Sequence, residues 1–161
     1  MSHLVVRDAV PADLTAIGAI YAHEAEHGIS TFDSAGRPQE FWQDKLDGPD
    51  ELLVAEGAGA VLGYANSSVY RPRTAYDLTR EVSIYLTAEA RGQGVGKALY
   101  GDLLDRLRRA GMHTALGVVA LPNDASVRLH ESFGFTRTGT LHEVGRKFDR
   151  WIDTAWYQLM L

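Results

Sequence analysis

Residues 81–96 read Glu-Val-Ser-Ile-Tyr-Leu-Thr-Ala-Glu-Ala-Arg-Gly-Gln-Gly-Val-Gly, and they carry the clearest pattern of the chain. The alternating β-branched and aromatic run at their start predicts a strand, and the glycines after it predict a tight turn. A helix is predicted directly after the turn, because apolar residues recur every four positions at Val95, Leu99, Leu103 and Leu107. Glycine amides and the unpaired N–H groups of a helix start together favour a bound phosphate or pyrophosphate.

Two common phosphate-binding motifs do not fit this turn. A P-loop needs Gly five positions before Gly96 and a hydroxyl residue after Lys97, but Arg91 and Ala98 stand there. The dinucleotide fingerprint G-x-G-x-x-G fits poorly, because the glycines are spaced G-x-G-x-G. The pattern that remains, Arg/Gln-x-x-Gly-x-Gly/Ala over residues 91–96, resembles the pyrophosphate loop of the GNAT superfamily of acyl-coenzyme A N-acyltransferases. A glycine-rich turn without a ligand is the alternative.

Length and composition narrow the class of protein. The 161 residues suit one domain over residues 1–161. A net charge of −5, from 16 basic and 21 acidic residues, argues against a nucleic-acid partner. No secretory signal is seen, and no apolar run approaches the ~18 residues that span a bilayer, so we expect no membrane partner. The absence of cysteine excludes disulfides, a cysteine nucleophile and thiolate metal sites, and it fits a cytoplasmic protein.

The order of predicted elements favours an α/β fold. Helices are predicted over 11–27, from Pro38 to Gly48, over 95–110 and over 123–132. Strands are predicted over 4–7, 51–56, 61–70, 81–87, 113–120, 135–144 and 151–159. Hairpins first and then a β-α-β order indicate a mixed central sheet of about six to seven strands, flanked by helices on both faces.

Two polar side chains outside the loop suggest chemistry. Glu81, at the predicted start of the strand that leads into the loop, could take a proton from an amine, although most glutamates are solvated surface residues. Asn123 is a good helix N-cap, and His130 follows seven residues later on the same helix face. An imidazole there could protonate a leaving group, or it could simply pack against Phe133 or Phe135.

Several separated segments narrow the resemblance to the phosphinothricin acetyltransferase family. They are Leu-Pro-Asn-Asp-Ala-Ser-Val-Arg-Leu-His-Glu at 121–131, Gly-Arg-Lys-Phe-Asp-Arg-Trp-Ile-Asp-Thr-Ala-Trp-Tyr-Gln at 145–158, and Arg-x-Ala-Tyr-x-x-Thr-x-Glu at 73–81. The resemblance implies the GNAT fold and transfer of an acetyl group from acetyl-CoA to the α-amine of a small amino acid, without a metal. Phosphinothricin, methionine sulfoximine and methionine sulfone are the acceptor class that the family suggests, and a homodimer is its expected assembly.

The resemblance also implies a role for individual residues. Glu81 would be the general base, and His130 would protonate the departing thiolate. Arg73 would bind the acceptor's carboxylate or phosphinate, and Phe32 and Tyr76 would form the wall of its pocket. The coenzyme-binding role falls on Ile84, Tyr85, Leu86, Arg91, Gly92, Gln93, Gly94, Val95, Gly96, Lys97, Asn123 and Ser126. Backbone groups of the strand would hold the pantetheine and polarise the thioester carbonyl, which is oxyanion-hole chemistry.

Three alternatives stay open. An acetyltransferase could act on another amine, such as a protein N-terminus or a polyamine. A non-catalytic acyl-CoA-binding regulator would need neither Glu81 nor His130. Residues 23–27, His-Glu-Ala-Glu-His, satisfy the H-E-x-x-H pattern of zinc proteases, but Gly28 ends the predicted helix at once, and Ser30 and Asp33 replace the glycine and histidine of the extended motif.

Overall fold

The computed structural model describes residues 3–161 and contains seven strands and four α-helices within that range. The strands are β1 (Val5–Asp8), β2 (Leu52–Gly57), β3 (Ala60–Val69), β4 (Thr79–Leu86), β5 (Thr114–Ala120), β6 (Thr136–Lys147) and β7 (Arg150–Met160). The helices are α1 (Leu14–His27), α2 (Gln39–Asp47), α3 (Val95–Arg109) and α4 (Asp124–Ser132). Within residues 3–161, no helix combines the length and the apolar character needed to cross a membrane.

All seven strands belong to one sheet, in the order β1-β2-β3-β4-β5-β7-β6. β4 and β5 run parallel, and every other neighbouring pair is antiparallel. α3 makes the crossover that a parallel pair requires. β6 and β7 form the closing hairpin that the sequence predicts. Its second strand, β7, lies between β5 and β6 and pairs with both, so β6 is the edge strand.

Helices cover both faces of the sheet, as the alternation within β2 illustrates. Leu53 and Ala55 point to the face where the apolar side of α3 packs. Leu52 and Val54 point to the opposite face, where they meet apolar residues of α1 and α2. The mixed seven-stranded sheet with helices on both faces confirms the predicted fold class.

The first helix begins later than the sequence predicts. Pro11–Asp13 form a 3-10 turn, and the α-helix begins at Leu14. The Asp13 carboxylate accepts hydrogen bonds from the Val10 amide at 2.8 Å and from two guanidinium nitrogens of Arg7 at 2.7 and 3.0 Å. This ion pair ties the turn to β1, and the pattern of apolar residues does not encode it.

β4 begins two residues before the predicted start. The ladder with β3 extends to the pair Val69 and Arg80, and the Arg80 guanidinium lies 3.3 Å from the Asp50 carboxylate. Glu81 is therefore the third residue of β4 instead of its first. Its backbone is held between β3 on one side and β5 on the other.

Candidate active site

The sheet opens between β4 and β5. These strands pair only between Thr79–Glu81 and Thr114–Leu116, although β3 stays with β4 as far as Leu86 and β7 stays with β5 as far as Ala120. The edge of β4 from Val82 to Leu86 therefore has no strand partner within residues 3–161. A cleft of about 940 Å³ fills the gap, and its lining includes both strands, the loop after β4 and the N-terminal part of α4.

The loop between β4 and α3 has the backbone shape of an anion-binding turn. Gly92 and Gly94 have φ angles of +74° and +80°, and a Cβ at either position would meet no atom within 4 Å. These left-handed positions favour glycine, and they leave space above the backbone. Gly94 is the N-cap of α3 and has no side chain with which to cap the helix, so the first N–H groups of α3 lack an intrahelical partner.

The predicted loop residues do not all face the cleft. Side chains or backbone of Arg91, Gly92, Gly94, Gly96 and Lys97 line it. Val95 is buried in the core at 2% exposure, and the Gln93 side chain turns away to donate a 2.6 Å hydrogen bond to the Glu89 carbonyl. Gln93 and Val95 can therefore contribute to a ligand site only through their backbone.

Basic side chains along the cleft suit a ligand with several phosphates. Arg91, Lys97 and Arg128 all line it. Arg128 was not singled out from the sequence, although it follows the Asn123 N-cap by five residues on the same helix. The Arg91 guanidinium lies 3.5 Å from the Glu24 carboxylate, which links the loop to the end of α1.

Asn123 and Ser126 lie together at the start of α4 and line the cleft. Oδ1 of Asn123 accepts a 3.1 Å hydrogen bond from the Ser126 amide, which is the N-cap arrangement that the sequence indicates. The cap uses the oxygen of the Asn123 amide, so its NH₂ group is left available to a ligand.

His130 lies deeper, where the residue is only 3% exposed. Nε2 lies 3.0 Å from the Tyr100 hydroxyl, and Nδ1 lies 2.7 Å from the Ser126 carbonyl oxygen. His130 and Tyr100 both line the cleft. The sequence did not suggest Tyr100 as a site residue, because its spacing on α3 is that of a core residue. Burial lowers the pKa of His130 and raises the pKa of Tyr100, so both groups are held uncharged.

Glu81 stands on the wall between the cleft and a second, smaller cavity of about 340 Å³. Three alternate residues of β4, Glu81, Ser83 and Tyr85, line both cavities. Glu81 is partly buried and forms no ion pair with any residue from 3 to 161. Burial raises the pKa of its carboxyl group, which is the direction that suits a general base working near neutral pH.

The smaller cavity lies on the α1 and α2 face of the sheet. Its floor is made of three cross-strand pairs on one face of β3 and β4: Tyr64 with Tyr85, Asn66 with Ser83, and Ser68 with Glu81. Its other lining residues are Tyr21, Arg37, Phe41, Trp42 and Lys45. The Tyr64 hydroxyl is buried and has no hydrogen-bond partner within residues 3–161. The lining of the cavity thus combines aromatic with polar residues, as small-molecule sites do.

The predicted acceptor-binding residues are not all brought together. Phe32 lines the large cleft, where its ring packs against Gly145 of β6 so closely that a Cβ would not fit. Arg73 is exposed and Tyr76 packs edge-on against Tyr70 at 5.2 Å. Neither Arg73 nor Tyr76 lines either cavity.

The H-E-x-x-H segment lies at the end of α1. The rings of His23 and His27 stack at 4.7 Å, but Glu24 is engaged elsewhere, because its carboxylate contacts Arg91 and accepts a 3.0 Å hydrogen bond from the Ser30 amide. Within residues 3–161, no group of three or more His, Asp or Glu side chains could hold a metal ion. The segment is thus part of the wall beside the loop after β4.

Comparisons with known proteins agree with this geometry. Residues 15–135 match the acetyltransferase (GNAT) family. The phosphinothricin N-acetyltransferase of Streptomyces coelicolor is 41% identical over 160 residues, which cover 95% of this chain and 94% of the relative. The L-methionine sulfoximine/L-methionine sulfone acetyltransferase of Salmonella typhimurium is 36% identical over 163 residues, which cover 98% of this chain and 95% of the relative.

A solved structure shares the whole architecture. The GNAT superfamily phosphinothricin acetyltransferase of Sinorhizobium meliloti, solved in complex with AcCoA, superposes with a TM-score of 0.93 at 36% identity. The superposition covers 98% of this chain and 88% of that one. The fold of this chain is therefore similar to that of a relative solved with this coenzyme.

Proposed function

The chain belongs to the acetyltransferase (GNAT) family and is an acetyl-CoA-dependent N-acetyltransferase, and we propose that its acceptor is the α-amine of a small amino acid. The proposed class is that of phosphinothricin, methionine sulfoximine and methionine sulfone. One observation carries the proposal: Glu81 lines both the large cleft and the small cavity. A donor in the first and an amine in the second would meet at this residue.

The large cleft fits the coenzyme in size and charge. The amides between Arg91 and Lys97 would hold the pyrophosphate, since the start of α3 offers unpaired N–H groups next to two left-handed glycines. The free edge of β4, at Ile84, Tyr85 and Leu86, would pair with the pantetheine through its backbone. Asn123, Ser126 and Arg128 line the same cleft and would complete the site.

Glu81 takes the proton in the proposed reaction. The acceptor ammonium loses a proton to the Glu81 carboxylate, directly or through water, and the free amine forms a C–N bond to the acetyl carbon. The C–S bond of the thioester breaks, the nitrogen loses its second proton to water, and the thiolate gains a proton. Transfer is direct, because the chain has no cysteine and no serine elbow that could carry the acetyl group. A positioned base of this kind contributes about 10²–10⁴-fold to the rate.

The source of the thiolate's proton is a separate part of the proposal. His130 lines the cleft and is the side chain that the family resemblance assigns to this step. The hydrogen bonds to Ser126 and Tyr100 occupy both of its ring nitrogens. The acid role of His130 therefore stays a prediction, with solvent in the open cleft as the other source.

The proposal includes a homodimer that works in the cytoplasm. Family resemblance supports the dimer, and exposed apolar side chains on β6 and β7 offer an area for it: Leu141, Val144 and Trp151 are 47%, 53% and 57% exposed. The lack of cysteine supports the cytoplasmic location.

A thiol-release assay tests the function. The purified protein is mixed with acetyl-CoA and a panel that contains methionine sulfoximine, methionine sulfone, phosphinothricin, a polyamine and a peptide with a free N-terminus. The chain contributes no thiol background, because it has no cysteine. Release with the amino-acid analogues supports the proposal, and release only with the polyamine or the peptide would contradict it.

A further inference from the structure

Lys45 of α2 is a partly buried cation that forms no direct ion pair with any residue from 3 to 161. Its ammonium donates hydrogen bonds to the Ser68 hydroxyl at 3.2 Å and to the Ser67 carbonyl at 3.5 Å. No carboxylate within residues 3–161 lies within 4.0 Å of it. The side chain is partly buried, and burial lowers the pKa of its ammonium. The Asp50 carboxylate attracts the ammonium from beyond 4.0 Å. A partly buried cation without a direct ion pair is still costly, and an anionic ligand would relieve that cost.

The position of Lys45 relates it to Glu81. Ser68, to which the ammonium donates, is the direct cross-strand partner of Glu81 on β4. Side chains in such a pair start about 4.5–5.5 Å apart at Cβ. Lys45 and Glu81 line the same cavity of about 340 Å³, yet they do not pair with each other within 4.0 Å. One cavity therefore presents a cation and an anion with space between them.

An α-amino acid carries the two complementary charges on an ammonium and a carboxylate group attached to the same carbon. We propose that Lys45 binds the α-carboxylate of the acceptor while Glu81 receives its ammonium group, so that Lys45 determines the preference for free amino acids. This inference rests on the proposed function. The aromatic walls formed by Phe41, Trp42 and Tyr64 would then surround the acceptor's side chain.

Two arginines are less suited than Lys45 to bind the acceptor's carboxylate. Arg37 also lines the cavity, but its guanidinium already donates to Asp33 at 2.6 Å and stacks over the Phe41 ring at 4.9 Å. Arg73, which the sequence suggested for this task, lines neither cavity. Among the described residues, Lys45 is the cation of this cavity that has no carboxylate within 4.0 Å.

Two matched acceptors test the assignment. L-Methionine sulfone and its carboxamide differ at the carboxylate alone, and kcat/KM is measured for each with saturating acetyl-CoA. In Lys45→Met, which keeps the aliphatic stem, the ratio of acid to amide should fall about 10- to 100-fold, the range of a charge-assisted hydrogen bond. The fall should come from a higher KM for the acid, with the KM for acetyl-CoA unchanged. Lys45→Arg should restore part of the ratio.

Controls separate the possible outcomes. Gln43→Met lies on the same helix but lines neither cavity, so it should keep the wild-type ratio. If Lys45→Met does not fold, Lys45→Gln gives the same comparison. An unchanged ratio in a folded, uncharged variant would overturn the role of Lys45 alone, and a ratio that collapses only in Arg73→Met would move the carboxylate to the exposed loop. A wild-type protein that acetylates neither compound would overturn the proposed function as well.

Discussion

The Tyr100 hydroxyl donates a hydrogen bond to Nε2 of His130, because the ring's single proton is needed on Nδ1. Nδ1 faces the Ser126 carbonyl oxygen, which can only accept. The proton is therefore assigned to Nδ1, and the lone pair of Nε2 receives the hydroxyl hydrogen across 3.0 Å. Burial lowers the pKa of this imidazole, so the ring is neutral at pH 7 and must first gain a proton before it could give one to a thiolate.

We expect a small catalytic effect from His130→Gln. A neutral, doubly hydrogen-bonded ring is a poor acid, so kcat should fall less than about 10-fold, compared with about 10²–10⁴-fold for loss of a true general acid. The variant should still lose stability, because the buried Tyr100 hydroxyl loses its partner. Steady-state thiol release and urea unfolding measure the two effects, and a fall in kcat beyond 10²-fold would assign the acid role to His130.

Glu81→Gln should separate catalysis from coenzyme binding. The amide keeps the size of the side chain but cannot accept the amine's proton, so kcat should fall by about 10²–10⁴-fold. The dissociation constant of acetyl-CoA, measured by calorimetry, should stay close to that of the wild type. An unchanged kcat would remove Glu81 from the reaction, and a matching loss of coenzyme affinity would make it a binding residue.

The raised pKa of Glu81 predicts two opposite pH effects. The basic carboxylate exists only above that pKa, so kcat/KM should decrease as the pH falls through it, and Glu81→Gln should lose this limb of the profile. The free energy of unfolding should change in the opposite direction with pH. The folded state holds the proton of Glu81 more tightly than the unfolded chain does, so ionisation at higher pH destabilises the fold. Glu81→Gln should therefore unfold at an equal or higher urea concentration at pH 7, with the difference closing at low pH.

Two glycines with similar backbone angles test the loop. Gly94 has φ +80° at the start of α3, and Gly59 has φ +77° in the hairpin between β2 and β3. Alanine at either position should cost about 1–2 kcal/mol of unfolding free energy, because both positions are left-handed and open. Only Gly94→Ala should also weaken acetyl-CoA binding, since it shifts the amides that face the pyrophosphate. Equal coenzyme affinity in both variants would separate the loop from the coenzyme.

The ion pair of Arg7 and Asp13 should govern part of the acid stability. Arg7 lowers the pKa of the buried Asp13 carboxyl group, so this stabilisation is present above the ordinary pKa of an aspartate and is lost as the pH falls through the lowered value. Arg7→Met should cost about 1–3 kcal/mol at pH 7 and less at pH 3, by urea unfolding.

An ion pair on the protein surface provides the control for Arg7→Met. Arg108 and Asp105 pair on the exposed side of α3 at 2.9 Å, and Arg108→Met should cost less than about 0.5 kcal/mol. An equally small cost in Arg7→Met would show that the pair with Asp13 does not hold the 3-10 turn against β1.

The local patterns of the sequence predict most of the elements and the loop that we propose for the coenzyme. The alternation in residues 81–86 and the four-residue spacing from Val95 predict β4, the loop and α3, because these elements bury one face each. Asn123 is found as the N-cap of α4, as its position indicates. Such features depend on residues close together in the chain.

The acceptor side could not be predicted in the same way. Lys45 lies on a short helix with many polar residues, where a buried lysine cannot be told from a solvated one. It lines the same cavity as Glu81 only because the fold brings α2 beside β3 and β4. The parting of β4 and β5 after Glu81 and Leu116 is also a property of the whole sheet. Asn66 and Ser68 were the available signal, since they place polar groups at alternate positions of an otherwise buried strand.

β4 serves its two cavities with different atoms. Its unpaired backbone edge faces the gap beside β5, whereas Glu81, Ser83 and Tyr85 complete a chamber whose other walls come from α1, α2 and β3. In the proposed function the backbone of β4 would therefore serve the coenzyme, while most side chains of the smaller cavity, on α1, α2 and β3, would serve the acceptor alone. Substitutions confined to α2 and β3 should change which amine is accepted and leave coenzyme binding unchanged. This half of the molecule is therefore the place to redesign acceptor specificity.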